Sequence, residues 1–160
     1  MRDLVLLRHG HALSLREANV PADSLRPLSE LGEREALQTI EHLRAAGFSP
    51  KLIISSPYLR AVRTAEIAAA VWPAARRETA QELSDGPVQA IVDLVAPYSP
   101  DAILLVGHQP LLGIAAAFFS GEVPFDLSPA GYARVRLGGE DAKSGLLELY
   151  APAAPQGKAR

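Results

Sequence analysis

An arginine and two histidines close an apolar run in LVLLRHGHA: Arg8, His9 and, one glycine further, His11. A hydrophobic core has no use for such a cluster. Guanidinium presents planar, paired donors that match phosphate oxygens, and it keeps its charge near neutral pH. Imidazole can act as nucleophile, as proton donor or as metal ligand, and its own charge changes close to neutrality. Two further apolar runs end in the same manner. KLIISSPYLR carries Arg60 shortly after its run, and AILLVGHQP closes on Gly107-His108. Two arginines directed at one point suit a phosphoryl dianion. One neutral histidine would then attack phosphorus, while the other donates a hydrogen bond to the phosphoryl oxygens and fixed donors stabilise the equatorial charge. The competing reading is a metal site. Residues two apart in an extended segment face one side, so His9 and His11 could join His108 or a nearby acid around a cation. That reading leaves Arg8 and Arg60 unexplained, since cations repel cations.

The elements around these residues follow from hydrophobic periodicity. Residues 3–7 read as a buried strand. Residues 29–46 carry Leu31, Ala36, Leu37, Ile40 and Leu43 at helical spacing, with Ser29 as N-cap and Gly47 as the stop. Residues 51–55 form a second strand. Ser56-Pro57 reads as an N-cap and first helical position, opening a helix to about Val71. A short extended piece is expected near Arg77–Ala80, a helix over Val88–Ala96, a strand over 102–106 and a helix from Pro110 to about Phe119. YARVRL and GLLELY, split by a glycine-containing turn, alternate as a late hairpin. Such alternation predicts an α/β fold, a three-layer α/β/α sandwich on a mostly parallel central sheet. Ligands in these folds bind beyond the carboxyl ends of the strands, where Arg8, His9, Arg60 and His108 would gather. Helix N-termini near Pro57 and Pro110 would add free N–H groups there.

Bulk properties narrow the function classes. The 160 residues suit one domain, taken as 1–150, with a Pro/Ala-rich tail over 151–160. Absence of cysteine excludes disulfides, thiolate metal sites and a cysteine nucleophile, and agrees with a reducing cytoplasm. A net charge of −2 offers no broad field to nucleic acid or a membrane surface. The first apolar run is too short for a signal peptide, and none approaches a membrane span. The expectation is a cytoplasmic domain.

LLRHGHA resembles the Arg-His-Gly signature of the histidine phosphatase superfamily, with its phosphoglycerate-mutase-like fold. SSPYLRAVRTAE is similar to that family's second motif, and ILLVGHQPLLG to its third. The short chain, RPLSELG over 26–32 and QELSDG over 81–86 resemble in particular the SixA-type phosphohistidine phosphatases. The resemblance spans about residues 2–150. It implies that His9 is the nucleophile that becomes phosphorylated, that Arg8 and Arg60 clamp the phosphoryl group and that His108 completes the pocket. It also implies turnover without metal or cofactor, by transfer to His9 followed by attack of water.

Three positions depart from the family pattern. Arg63 replaces a glutamine, and His11 follows Arg-His-Gly where the family often has an acid. Asp85 stands where phosphomonoesterase branches carry a glutamate as general acid. Phosphohistidine manages without that acid because protonated imidazole is already a good leaving group, whereas an alkoxide needs the proton more urgently. Asp85 is therefore either the proton donor or a turn residue in Ser-Asp-Gly-Pro. His11 and Arg26 are expected at the pocket rim, although Arg26 could equally anchor its loop. Arg63 and His42 are expected to face solvent.

The leading expectation is a metal-independent phosphatase acting on phosphohistidine in proteins. A phosphomonoesterase on a small metabolite is the alternative, such as a sugar phosphate or nucleotide precursor. A non-catalytic phosphoprotein-binding module comes third, since a mere binder need not keep a nucleophile.

Overall fold

A computed structural model describes residues 2–98, 101–138 and 146–152. The chain runs through β1 (Arg2–Arg8), α1 (Leu15–Ala18), a 3-10 turn (Asp23–Leu25), α2 (Glu30–Ala45), β2 (Leu52–Ser55) and α3 (Leu59–Val71). It continues through β3 (Arg76–Thr79), α4 (Glu82–Asp85), α5 (Val88–Val95), a second 3-10 turn (Ala96–Tyr98) and β4 (Ala102–Gly107), and then α6 (Leu111–Ser120), β5 (Tyr132–Leu137) and β6 (Leu146–Tyr150). The six strands lie in the order β3-β2-β4-β1-β5-β6. β3, β2, β4 and β1 are mutually parallel, whereas β5 runs antiparallel to both β1 and β6.

Continuous apolar runs put β1 and β4 at the centre, because only strands covered on both faces can be apolar at every position. Alternate side chains divide between two cores. Leu4, Leu6, Ile103 and Leu105 pack with Ile91, Val95, Leu112 and Phe119 from α5 and α6. Val5, Leu7, Leu104 and Val106 pack with Ala36, Ile40, Ala61 and Ala65 from α2 and α3. The result is the expected three-layer α/β/α sandwich. Ser29 caps α2 by accepting from Gly32 N–H at 3.0 Å. The helix then stops at Gly47, whose φ of 86° is cheap only for glycine.

The local differences have identifiable causes. α3 begins at Leu59 with Tyr58 as N-cap, rather than at Ser56-Pro57. The Ser56 hydroxyl accepts from Tyr58 N–H at 3.1 Å in a side-chain turn, which delays the helix, and its other contact is to His108. α1 was not foreseen because four residues carry no period. Its signal is the capping box, in which Ser14 Oγ accepts from Glu17 N–H and the Glu17 carboxylate accepts from Ser14 N–H. His42 is exposed yet not idle, since its ring stacks on Tyr150 at 4.0 Å between centroids. The turn between β5 and β6 at 139–145, and the expected tail from 153 onward, lie outside the described residues. Among the described residues no helix is long and apolar enough to cross a membrane.

Candidate active site

Strand register assembles the site. Arg8 at the end of β1 is level with Gly107 at the end of β4, and Ser55 at the end of β2 is level with Val106. The next residues outward, His9, His108 and Ser56, therefore emerge side by side at the carboxyl edge of the sheet. The His9 and His108 rings lie 5.1 Å apart. Arg60, second residue of α3, is buried and points its Nε–H at His9 Nε2, 3.2 Å away. Arg8, His9, His11, Arg26, Arg60, His108 and Gln109 line one cleft of about 290 Å³, with Gly10, Ala12 and Pro129 completing its wall.

Hydrogen bonding defines the state of His9. Its Nδ1 lies 2.7 Å from the Gly10 carbonyl, which can only accept, so Nδ1 carries the proton. Nε2 is then the bare nitrogen, and it accepts from Arg60. Burial above all pulls the His9 pKa down to about 3; the Gly10 hydrogen bond opposes it as the next largest effect, and the neighbouring His108, Arg60 and Arg8 lower it further. His9 is thus neutral at physiological pH with its lone pair directed among cations. Burial, followed by Arg60, likewise lowers His108 to about 4. Its Nε2 contacts the Ser56 hydroxyl at 2.7 Å, and Tyr58 packs against its ring at 4.9 Å.

The approach of β1's exit loop to α2 requires two glycines. A Cβ on Gly10 would stand 2.5 Å from the Gly32 carbonyl oxygen, and one on Gly32 would collide with the His11 carbonyl. The backbones touch there, which fixes where His9 leaves the strand.

The arginines are held in different ways. Arg8 donates through NH1 to the Leu127 carbonyl at 2.8 Å. Arg26 does both things the sequence allowed: its Nε–H anchors the loop through the Leu13 carbonyl, and the side chain lines the cleft. Asp23 is the residue that sequence reasoning missed. Its backbone carbonyl accepts from Arg60 NH1 at 2.7 Å, its Oδ2 from Arg60 NH2 at 2.9 Å, and its Oδ1 from Arg26 NH1 at 3.0 Å. Proximity to RPLSELG was its one available signal.

Other expected residues take different places. His11 lines the cleft, with Nδ1 2.6 Å from Ser29 Oγ, so the helix-capping serine also orients a rim histidine. Arg63 turns away to Glu33 at 2.8 Å. Asp85 is exposed on α4 and is not among the cleft-lining residues, none of which is a carboxylate among those described. The first-turn N–H groups of α6 at Leu112, Gly113 and Ile114 are already taken, by the His108 carbonyl, the Gln109 side chain and the Pro110 carbonyl. That helix start therefore does not lend them to an anion, contrary to expectation. Among the described residues no group of three or more His, Asp or Glu side chains could hold a metal ion.

Comparison with known proteins bears on the family and the fold. Residues 4–85 match the family model of the histidine phosphatase superfamily, branch 1. An uncharacterised protein of Picosynechococcus sp. is 34% identical over 143 residues, covering 85% of this chain and 86% of its own. The crystal structure assigned as a phosphohistidine phosphatase SixA from Agrobacterium tumefaciens superposes with a TM-score of 0.80 at 23% identity, over 95% of this chain and 99% of the other. A protein histidine phosphatase SixA complexed with tungstate superposes at 0.78 and 24% identity, over 94% and 97%.

Proposed function

Since the chain belongs to the histidine phosphatase superfamily, branch 1, whose chemistry is hydrolysis of phosphoester or phosphoamide bonds, we propose that its substrate is phosphohistidine carried by a protein. The observation that carries this reading is a cleft holding three guanidiniums and a neutral His9 while no carboxylic acid lines it among the described residues. A phosphoamide is suited to such a site. Its imidazole, protonated on the nitrogen away from phosphorus, leaves as neutral imidazole without an enzymic acid.

The reaction runs in two displacements. The His9 Nε2 lone pair forms a bond to phosphorus as the substrate's P–N bond breaks, its electron pair returning to the departing ring nitrogen. Arg8 and Arg60 spread the charge of the three equatorial oxygens, and His108 closes the ring of polar groups. Water oxygen then attacks phosphorus, the P–Nε2 bond breaks back to neutral His9, and the water proton passes to solvent. No step in this scheme calls on a metal or cofactor. A cysteine-free chain is compatible with the cytoplasmic setting proposed for the enzyme.

The alternative, a phosphomonoesterase using Asp85, finds less support, because Asp85 lies outside the cleft lining. The test is a direct comparison, under chelator, of a histidine-phosphorylated protein and a panel of phosphate monoesters. The phosphoprotein is expected to lose its label fastest, with transient radiolabel on His9 that His9→Ala abolishes. Faster turnover of a monoester, or label retained by His9→Ala, would overturn the reading.

A further inference from the structure

Asp23 lies outside the cleft lining, yet it touches two of the three arginines that form the cleft. We propose that Asp23 is a positioning residue that presents the Arg60 guanidinium side-on to the phosphoryl seat and holds Arg26 beside it. The role rests on the proposed phosphoryl chemistry of the cleft and assigns the geometry of its clamp.

The donor inventory carries the inference. Arg60 has five N–H groups. One on NH1 goes to the Asp23 carbonyl and one on NH2 to Asp23 Oδ2, while Nε–H is directed at His9 Nε2. Asp23 therefore occupies part of the two terminal nitrogens and leaves Nε–H turned toward the atom where phosphorus must arrive. Of the two N–H groups left over in these contacts, the one on NH2 lies on the Nε side, so Nε–H and that hydrogen form a side-on pair that phosphoryl oxygens can take. The burial is asymmetric in the sense a support requires. The Arg60 side chain is 8% exposed and Asp23 is 55% exposed, so the carboxylate approaches from the solvent side and steadies a buried cation. Asp23 also relieves a repulsion, because Arg60 and Arg26 share its carboxylate, one on each oxygen. Asp23 is ionised in this role: hydrogen bonds from Arg26 first and Arg60 next hold its pKa below the usual carboxylate value. A group so held is a fixed anion rather than a proton donor.

Simple charge counting and positioning make opposite predictions, which gives the test its edge. Removing a negative charge beside a phosphate site tightens anion binding if charge alone matters. Losing the alignment of Arg60 weakens it and slows transfer, since misplacement of a clamp by about an ångström costs on the order of 100-fold. The experiment measures inorganic phosphate affinity by calorimetry and the rate of His9 labelling by a small phosphoramidate, for wild type, Asp23→Asn and Asp23→Glu, with thermal melts alongside. Positioning predicts unchanged melting, phosphate affinity weakened about tenfold and labelling slowed about 10- to 100-fold in Asp23→Asn. Asp23→Glu, which restores the charge, recovers part of both. Phosphate affinity in Asp23→Asn that equals or exceeds wild type overturns the role, as does an equal loss in the two variants. Phosphate binding does not depend on substrate class. Wild type that binds phosphate and is never labelled would therefore overturn the functional reading while leaving the Asp23 measurement interpretable.

Discussion

Two buried neutral histidines at one site should make the fold acid-sensitive, and the size of the effect can be worked out. In the folded chain His9 and His108 have pKa values pulled down to about 3 and about 4, against an ordinary 6.5. Between those limits the unfolded chain binds more protons than the folded one, so stability falls as pH falls from the unfolded value toward the folded one. From about pH 7 to about pH 5 each ring stays neutral when folded and becomes almost fully protonated when unfolded, a loss of about 2 kcal/mol per histidine. The pair together contributes a loss of about 4 kcal/mol over that window. Because both folded values lie below the window, the figure barely depends on either. Urea unfolding of wild type, His9→Ala and His108→Ala at the two pH values measures it. Each single variant should keep about half of the wild-type pH difference, whatever it does to stability at neutral pH. A wild-type difference below about 1 kcal/mol, or a difference that both variants retain in full, would refute the assignment of buried neutral imidazoles.

Two more outcomes follow from the geometry. Arg60→Lys keeps the charge but loses both the Nε–H directed at His9 and the fork held by Asp23, so kcat/KM should drop about 100-fold, and a loss under about threefold would mean that charge alone suffices. Gly32→Ala sets propensity against packing: helix preference alone stabilises alanine by about 1 kcal/mol, whereas the clash with the His11 carbonyl should reverse the sign, to a net destabilisation of about 1–2 kcal/mol with reduced turnover, read by denaturant titration and steady-state rates.

Much of this arrangement was legible in the chain because strands that end in polar residues announce an edge. The apolar runs Leu4–Leu7, Leu52–Ile54 and Ala102–Val106 form the bodies of β1, β2 and β4, and Arg8, Ser55-Ser56 and Gly107-His108 mark where each run stops. Helical periodicity placed α2 and α6 within a residue or so of their observed ends. What stayed hidden was of two kinds. Four-residue helices such as α1 and α4 have no period to detect; the capping box of Ser14 and Glu17 is the one signal for α1, and α4 has no side-chain N-cap to announce it. Partnerships such as Asp23 with Arg60 and Ser56 with His108 are made by tertiary approach across 37 and 52 positions, and no spacing within the chain encodes them. Ser56 shows the cost of a local reading: its hydroxyl suits a helix cap, and the neighbouring strand's histidine claims it instead.

The pairing of β1 with β4 has a bearing on how the protein is made. His9 meets His108 only after strands almost a hundred positions apart have zipped in register, a closure whose entropic cost comes before any reward. A ribosome-bound chain that has emerged only as far as α5 holds His9 without His108. Under the proposed mechanism, the first appearance of His9 labelling during translation would time the docking of β4 between β2 and β1.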